Sequence, residues 1–501
     1  MTTASKPPHD AATAVDSRQT APQDSTAPVT LSVGSASAKD ISIAHPSSGW
    51  RDGSRVFAPP LPPGSRKSAI NSEYDRPERK RGARLMLIES LSSAVPAGIQ
   101  GNLLGGFALK LGATSFQMGM YSAIVDMFIA VSLMFAAHIV RLLGGRKRML
   151  IATMLAGALP WVFLAVVPLM SESVRVWAMI PLAGAATALM ILGDPAWNSW
   201  MSDLVPSSRR GRYLGVRGSM VTLTTMSVGM SAAAVLDRLH GAVMWGFAAA
   251  FLVAAAARIV SLVIYTRIPD PRPDLKLHMG PMPWTQFRQM NRSVLGRYNK
   301  FLLLFHFAAG IGSPFFSVYL LRDLGVSFTV YVGLNMVCNI AVALTMPWWG
   351  RLVDRRGNMF VLVLSGLAVA LWPIVHVFST SILYLFVAYA VVGMTQAGWG
   401  IVLYNFVLER SEDTMRTSAV GYSRGVISLG MFTGALLGGL IATRVPAMFG
   451  YPLLTMCVIT TVLRVASIGV LPSVLKDESN EGQGYFSRLA GLLRSPKQRL
   501  T

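Results

Sequence analysis

Long apolar runs, separated by short polar and often basic segments, dominate the chain between residues 85 and 471. Most of these runs are about 20 residues long, which is the length with which a helix crosses the hydrocarbon core of a bilayer. We therefore predict an all-α polytopic membrane protein with about twelve transmembrane helices. The first six cover residues 85–109, 116–138, 149–169, 176–201, 216–237 and 242–266. The second six cover residues 299–321, 328–349, 358–379, 381–408, 418–442 and 447–471.

The balance of residue types favours the same class of protein. Of the 501 residues, 52% are hydrophobic and only 14% are charged, which is typical of membrane proteins rather than soluble ones. A net charge of +21 would suit nucleic-acid binding in a soluble protein, but here the basic residues lie between apolar runs. Topology therefore explains the charge better than a nucleic-acid partner does. Cys338 and Cys457 lie inside apolar runs and fit neither a disulfide framework nor a metal site.

The chain divides into two apolar halves with polar segments before, between and after them. Residues 1–83 form an N-terminal tail, disordered by composition, that ends in a basic collar. The collar either touches anionic lipid or only fixes topology. Residues 84–266 form the first half, 267–298 a basic, proline-rich linker, 299–472 the second half and 473–501 a polar, basic tail. The N-terminal tail lacks the apolar core of a signal peptide, so we expect the first helix to act as an uncleaved insertion signal.

Basic residues mark alternate connections between the helices. Arginine and lysine cluster within 141–148, 209–217, 267–297, 351–356 and 410–416, whereas the other connections carry only scattered basic residues. Cytoplasmic loops of membrane proteins carry an excess of Lys and Arg. We therefore expect the clustered connections and both termini to be cytoplasmic, with the protein in the inner (plasma) membrane of a bacterium.

The two halves repeat each other in sequence. Similar residues recur at offsets of about 202 to 213, and the pairs include Gly145 with Gly357, Trp197 with Trp399, Arg217 with Arg424, and Arg258 with Arg464. A near-constant offset along the whole apolar region indicates two six-helix, pseudo-symmetric halves. In transporters built from such parallel repeats, the substrate site lies between the halves near the bilayer midplane.

A charged segment at residues 348–359, which we predict to be a short turn between two membrane helices, carries a family resemblance. It resembles the signature loop of the major facilitator superfamily, Gly-x-Leu-x-Asp-Arg-x-Gly followed by a basic residue. The matching residues are Gly350, Leu352, Asp354, Arg355 and Gly357, and the last basic position is Asn358 here. We expect a cytoplasmic latch in which Asp354 receives N–H groups at the start of the next helix.

The first half departs from the family pattern. Its corresponding loop keeps Gly145 and Arg146 but has no Asp, so latching by a carboxylate is doubtful there. The fourth helix contains no Arg and the fifth lacks a Gly-Pro pair, features that the resemblance associates with proton-coupled drug exporters and antiporters. Those motifs therefore do not support drug–proton antiport, although their absence does not exclude it.

Ionisable residues within membrane helices are costly and are candidates for function. Asp126 lies about ten residues from either end of its run, where burial would favour reversible protonation, and packing against a neighbouring helix is the alternative. Asp194 precedes Pro195 in the fourth helix and is the second candidate for proton coupling. Glu89 is the third, with pairing to Arg81 or Arg84 as the alternative.

Other polar and aromatic residues are candidates to line a central cavity. Trp197 and Trp399 offer flat faces for a ring or sugar, with core packing as the alternative. Arg258 and Arg464 lie on helices that the resemblance makes peripheral, so we expect them to snorkel or pair with another helix. The full set of cavity candidates is Gln100, Asn102, Trp197, Asn339, Gln396, Trp399 and Tyr404.

No enzyme constellation is found, because the seven histidines are scattered and no phosphate-binding Gly loop follows a strand. We expect a secondary transporter, not an enzyme, that moves a small solute by alternating access, with or without coupling to protons. An uncoupled facilitator, or a non-transporting receptor or scaffold on the same fold, is the alternative. The expected partners are a small-molecule substrate, the lipid bilayer and protons, without nucleic acid, cofactor or metal, and the expected state is a monomer.

Overall fold

The computed structural model describes residues 77–239, 241–270, 284–411, 416–446, 448 and 451–469. These residues form helices and their connections, with one isolated β-bridge between Met448 and Tyr451. The predicted all-α fold is therefore confirmed. The predictions for the N-terminal residues 1–75, for linker residues 271–283 and for the C-terminal tail lie outside the described residues.

Six helical spans form the first half. They are α1 Pro77–Lys110, α2 Ser115–Leu142, α3 Arg146–Leu169, α4 Glu172–Leu204, α5 Ser207–Arg238 and α6 Val243–Arg267. A short helix, Trp284–Arg292, lies within the predicted linker. The second half comprises α7 Val294–Asp323, α8 and α9 within the span Phe328–Phe378, α10 Ile382–Arg410, α11 Arg416–Ile441 and α12 Pro452–Gly469.

Nine spans of the described chain are long and apolar enough to cross a membrane, and Leu454–Gly469 is a shorter apolar helix. One of the nine, Phe328–Phe378, contains two helices, because Gly357 has φ +80° and interrupts the helix there. Of the helices numbered α1 to α12, only α1, whose first turns are charged, is neither one of these long spans nor the shorter apolar helix. With α1 included, the bundle has the predicted twelve helices in two halves of six.

The charged segment that was predicted to be a turn is largely helical, so that detail of the prediction is wrong. Helix α8 continues from Phe328 through residue 356, and α9 begins at 358. A helix satisfies its own backbone hydrogen bonds, so charged residues can follow an apolar run without ending it. Leu352 and Val353 also pack against the core of the second half and favour this extension.

The helices pack in matching patterns within the two halves. In the first half α1 packs on α5 and α6, α3 on α4 and α6, and α2 on α4. In the second half α7 packs on α11 and α12, and the α8–α9 segment on α10. The two most extensive contacts between the halves are α2 with α11 and α5 with α8. The sequence repeat maps α2 onto α8 and α5 onto α11, so it maps each of these two contacts onto the other. The halves are therefore related by a pseudo-two-fold arrangement.

The two ends of the bundle differ in how closely the halves approach. We call the end that holds the arginine-rich connections the basic end, and the other the opposite end. At the opposite end a Cβ added to Gly119 of α2 would lie 2.6 Å from the Gly439 Cα of α11. There Asp237 of α5 accepts hydrogen bonds from the backbone N–H groups of Phe328 (2.9 Å) and Thr329 (2.8 Å). The halves are therefore in direct contact at the opposite end.

At the basic end α5 and α11 have open space beside their glycines. No described atom lies within 4 Å of a Cβ built on any of five glycines near the basic ends of α5 and α11. These are Gly211, Gly215, Gly218, Gly421 and Gly425. A cleft between the halves thus opens at the basic end and closes toward the opposite end.

Candidate solute cleft

An arginine of α5 lies flat on a tryptophan of α4 inside the cleft. The guanidinium carbon of Arg217 is 3.9 Å from the ring centroid of Trp197, and Arg217 Nε donates to Ser90 Oγ at 2.9 Å. Ser90 Oγ in turn donates to the carbonyl of Met86 on α1. Stacking and one hydrogen bond fix the guanidinium plane. The two Nη groups of Arg217 have no hydrogen-bond acceptor among the described residues.

The second half repeats this arrangement. Arg424 of α11 is exposed, and its guanidinium carbon lies 5.3 Å from the ring centroid of Tyr404 on α10. Arg424 makes no hydrogen bond with the described residues. Tyr404 follows Trp197 by 207 positions, the same offset that separates Arg424 from Arg217. Each half therefore presents one arginine over one aromatic ring.

The sequence paired Trp197 with Trp399, and the structure corrects that pairing. Trp399 is 8% exposed, and its ring lies 4.6 Å from Phe305 and 6.3 Å from Phe301. Trp197, at 6% exposed, is just as buried, so the two tryptophans differ in their neighbours: Trp197 lies beneath Arg217, whereas Trp399 packs among phenylalanine rings. Tyr404, also a cavity candidate, is 41% exposed and takes the position beneath the cleft arginine. Matching by residue type alone gave an offset of 202, five residues from the offset of the arginines.

Asp194 faces the charges of both halves. It is exposed at the start of the second segment of α4, Asp194–Leu204. The charges acting on its carboxylate are those of Arg424, Arg217 and Arg258, in that order. Arg424 belongs to the second half, so Asp194 is in electrostatic contact across the cleft. Asn198, one turn further on, donates to the Asp194 carbonyl at 2.9 Å.

Glu89 is buried behind Arg217 rather than paired with the exposed Arg81 or Arg84. It is 1% exposed, lies beside Tyr265 and Ser261 of α6, and is under the charges of Arg217 and Arg258. Its Oε1 atom has no hydrogen-bond partner among the described residues. A buried carboxylate near two cations is far less costly than an isolated one.

Of the two alternatives for Arg258 and Arg464, the structure shows contact with other helices rather than snorkelling. Arg258 is 1% exposed and donates to the Met154 sulfur at 3.1 Å. Arg464 is 5% exposed and donates to the carbonyls of Val369 (3.3 Å) and Ala309 (3.5 Å). Both arginines point into their own half of the bundle. A glycine leaves room for the Arg258 guanidinium, and backbone carbonyls accept hydrogen bonds from Arg464. This glycine is Gly157, whose added Cβ would lie 3.4 Å from Arg258 Nε.

Asp126 lies on the face of α2 that meets α11. It follows Gly119 by seven residues, two helical turns nearer the basic end. Its side chain is half-buried and makes no hydrogen bond or ion pair with the described residues. Tyr121 of α2 is the titratable group that senses its charge. Asp126 therefore lies two turns from the α2–α11 contact at Gly119, toward the basic end.

The remaining cavity candidates divide between helix packing and exposure. Gln100 Nε2 donates to Thr187 Oγ1 at 2.7 Å, which ties α1 to α4. Asn102 donates to the Gly98 carbonyl at 2.8 Å. Asn339 and Gln396 are exposed, and the Gln396 side-chain oxygen lies 3.9 Å from the Cys338 sulfur. Among the described residues there is no cluster of His, Cys, Asp and Glu that could hold a metal ion.

The latch residues of the second half are exposed at the basic end. Asp354 and Arg355 are both exposed, and Asp354 has no hydrogen bond or ion pair with the described residues. No described atom lies within 4 Å of a Cβ built on Gly350 or Gly357.

In the first half Arg146 is fully buried, and carboxylates do hold it. Its Nη1 lies 2.5 Å from Asp203 Oδ2, and its Nη2 lies 2.6 Å from Asp270 Oδ1. The loop itself has no Asp, and the two acids that pair with Arg146 come from the ends of α4 and α6 instead. Gly145, with φ +149°, immediately precedes α3 and lets the chain enter the helix at Arg146.

Comparison with known proteins extends these observations. Over 144 residues the chain is 28% identical to "Multidrug resistance protein MdtG" of Proteus mirabilis, a match that covers 27% of this chain and 34% of that protein. Over 106 residues it is 32% identical to "Tetracycline resistance protein, class H" of Pasteurella multocida, covering 21% and 26%. The chain thus matches about a third or less of the length of these relatives.

The fold is also that of a solved transporter. The crystal structure of the nucleoside transporter NupG superposes with a TM-score of 0.64 at 13% identity, covering 79% of this chain and 99% of that one. The sequence profile of the Major Facilitator Superfamily matches residues 86–312 and 301–497, which together include both six-helix halves. The chain is a member of the major facilitator superfamily.

Proposed function

We propose that this membrane protein is a secondary transporter that moves a small organic solute by alternating access. The unequal contact between the halves carries the proposal. The halves touch at Gly119 and Gly439 near the opposite end and stand apart at the basic end. A cleft that reaches the bundle interior from only one side is what one state of an alternating-access cycle requires.

The basic end is then the cytoplasmic end, and the structure corresponds to an inward-facing state. The arginine-rich connections support this orientation. The relatives with matching sequence are named for resistance to drugs and to tetracycline, and the solved neighbour transports nucleosides. These names support transport of small organic solutes without selecting one of them.

Thiol labelling from both sides of the membrane tests the alternation. In a background with Cys338→Ser and Cys457→Ser, Asn198→Cys reports on the basic end. Leu321→Cys reports on the opposite end, where it lines a cavity of about 500 Å³ between the halves. A transported solute should change the two labelling rates in opposite directions. Rates that change together, or that stay fixed while solute is carried, would contradict alternating access.

Coupling to protons belongs to the same proposal, with Asp126 as the principal group, Asp194 second and Glu89 third. The position of Asp126 supports this order, because it is half-buried two turns inside the contact at Gly119. Burial disfavours its ionised form, and the open cleft gives it access to water and protons. Its repeat partner is the neutral Asn339, so the fold itself does not demand a charge there.

Asp126→Asn should fold normally and lose solute accumulation driven by a pH gradient, while downhill exchange persists. The measurement is flux in proteoliposomes with an imposed pH step, with tetracycline and a nucleoside as the first solutes. Glu78→Gln, which removes an exposed carboxylate at the start of α1, is the control. Accumulation with unchanged pH dependence in Asp126→Asn would make Asp126 a packing residue.

A further inference from the structure

We propose that Arg217 and Arg424 together bind the oxyanion of an organic anion, so that the transported solute carries a carboxylate, phosphate or sulfonate group. This inference rests on the proposed function, because it assigns a substrate class to the same cleft. Three observations support it: the free donor edges of the arginines, their placement one on each half, and the counter-ion that faces them.

The donor edges are oriented and unused. Arg217 is held flat on Trp197 at 3.9 Å and through Nε by Ser90, so its Nη groups keep a fixed direction. Arg424 lies over Tyr404 and makes no hydrogen bond with the described residues. A guanidinium whose face is stacked still presents its edge donors in the geometry that matches a carboxylate or phosphate.

The arginines are also equivalent under the repeat. Arg217 and Arg424 share the 207-residue offset with their aromatic partners Trp197 and Tyr404, and each is followed by a glycine. An anion that contacts both arginines touches both halves of the protein. Binding would therefore draw the basic ends of α5 and α11 together, as closure of the cleft requires.

Asp194 provides a negative charge that faces the two arginines. Its carboxylate is under the charges of Arg424 and Arg217, and it is exposed. Glu89 and Arg258 are both buried behind this site, and their opposite charges largely offset each other. Two exposed or half-buried cations thus face one carboxylate, which leaves a net positive charge to attract an anion.

The test is thermal stabilisation of the full-length protein, purified in a neutral detergent. The probes are benzoate, benzenesulfonate and phenyl phosphate, compared with benzamide and benzylamine of similar shape. A solute that binds the native state raises the unfolding temperature, and the rise grows with the logarithm of its concentration once that exceeds the Kd. We expect at least one of the anions, and neither of the other probes, to stabilise the protein.

The decisive variant is Arg424→Gln, because Arg424 is exposed and its replacement removes no described hydrogen bond. It should weaken anion binding about tenfold or more. Arg217→Lys, which keeps the charge but loses the planar donor fork, should weaken binding in the same direction. Asp194→Asn should strengthen it. Arg267→Gln, an exposed arginine at the end of α6, is the matched control and should bind like the parent.

Several outcomes would overturn the inference. They are stabilisation by none of the anions, equal stabilisation by benzamide or benzylamine, and unchanged anion binding in Arg424→Gln. Stabilisation by phosphatidylglycerol through the same arginines, without any effect of the aromatic anions, would assign the pair to a lipid headgroup instead.

Flux in proteoliposomes separates this inference from the proposed function. Anions that bind through Arg424 but are not carried would leave the binding site intact and contradict transport. Flux of only neutral or cationic solutes would support transport and reject the anion site.

Discussion

The two halves hold their basic ends together in different ways. In the first half, Arg146 is buried between Asp203 and Asp270, and Lys147 donates to the carbonyls of Thr266 and Ile268. The ends of α3, α4 and α6 are thereby joined through charge. In the second half the position that repeats Arg146 is Asn358, whose amide donates to Glu409 at 2.7 Å. Glu409 is exposed, Asn358 is half-buried, and the pair contains no cation.

The difference shows that the better motif match does not mark the more strongly bonded half. The second half carries the nearly complete signature, yet Asp354 makes no contact with the described residues. The first half has an incomplete signature, and acids from distant parts of the sequence complete its ion network. A buried ion pair needs good geometry to offset its desolvation, and three helix ends provide it here.

Breaking the network of the first half should have the largest effect. Arg146→Gln removes the Arg146 cation from two buried carboxylates, Asp203 and Asp270, which are 3% and 8% exposed. Loss of one partner of a buried ion pair costs about 3–5 kcal/mol of stability. We expect a large fall in unfolding temperature, or loss of folded protein in the membrane. The control, Asn358→Ala, should cost only about 1 kcal/mol, because it removes one hydrogen bond whose acceptor, Glu409, is exposed. Similar losses in the two variants would contradict the contrast between the halves.

A second asymmetry between the halves lies at the opposite end. The first turns of both α8 and α2 have a local cap, from Ser327 and Thr114 respectively. In addition, the first turn of α8 is capped from the other half by Asp237. Asp237→Ala should remove the two charged hydrogen bonds between the halves, which together stabilise the closed opposite end by about 2 kcal/mol. Labelling of Leu321→Cys from the opposite side should then rise roughly thirtyfold.

The control for Asp237→Ala is Glu172→Gln, which removes an exposed carboxylate at the same end without contact to the second half. Its labelling rate should match that of the parent. Unchanged labelling in Asp237→Ala would mean that the packing of α2 on α11 alone keeps this end closed.

The smallest effect should come from the latch of the second half. Asp354→Asn should leave the unfolding temperature unchanged, because Asp354 contacts none of the described residues. If Asp354 meets a helix start in the other state, the balance between states should shift by about 0.3–1 kcal/mol, or two- to fivefold. Turnover and thiol labelling would report the shift. Asp203→Asn should instead lower the unfolding temperature, and a fall of that kind in Asp354→Asn would count against a latch.

Much of the fold could be predicted because apolar length and basic connections are local properties of the sequence. Helices such as α3 and α10 begin and end within a few residues of their predicted positions. The charged segment before Gly357 was misjudged, since charge marks the edge of the membrane but not the end of a helix.

The site could be predicted only in part. Asp194 was singled out as an ionisable residue in an apolar run, and the structure gives it two arginines as neighbours. The pairing of Arg217 with Trp197, and of Arg146 with Asp203, depends on which helices are adjacent, which a single sequence does not specify. The sequence did contain one signal for the arginine–aromatic pairs, an offset of 207 residues. This offset relates the two arginines, the two aromatic residues beneath them, and Asn198 to Asn405.

The glycines near the basic ends of α5 and α11 have a consequence for engineering. Gly211, Gly215, Gly218, Gly421 and Gly425 have no described neighbour within 4 Å of an added methyl group, so alanine fits at each. Alanine in a helix is more stable than glycine by about 0.5–1 kcal/mol. Directed evolution for heat resistance would therefore favour alanine at these sites. Such variants would be trapped in the open shape, because the added methyl groups would collide when the basic ends meet, and they would survive heating while losing the ability to cycle.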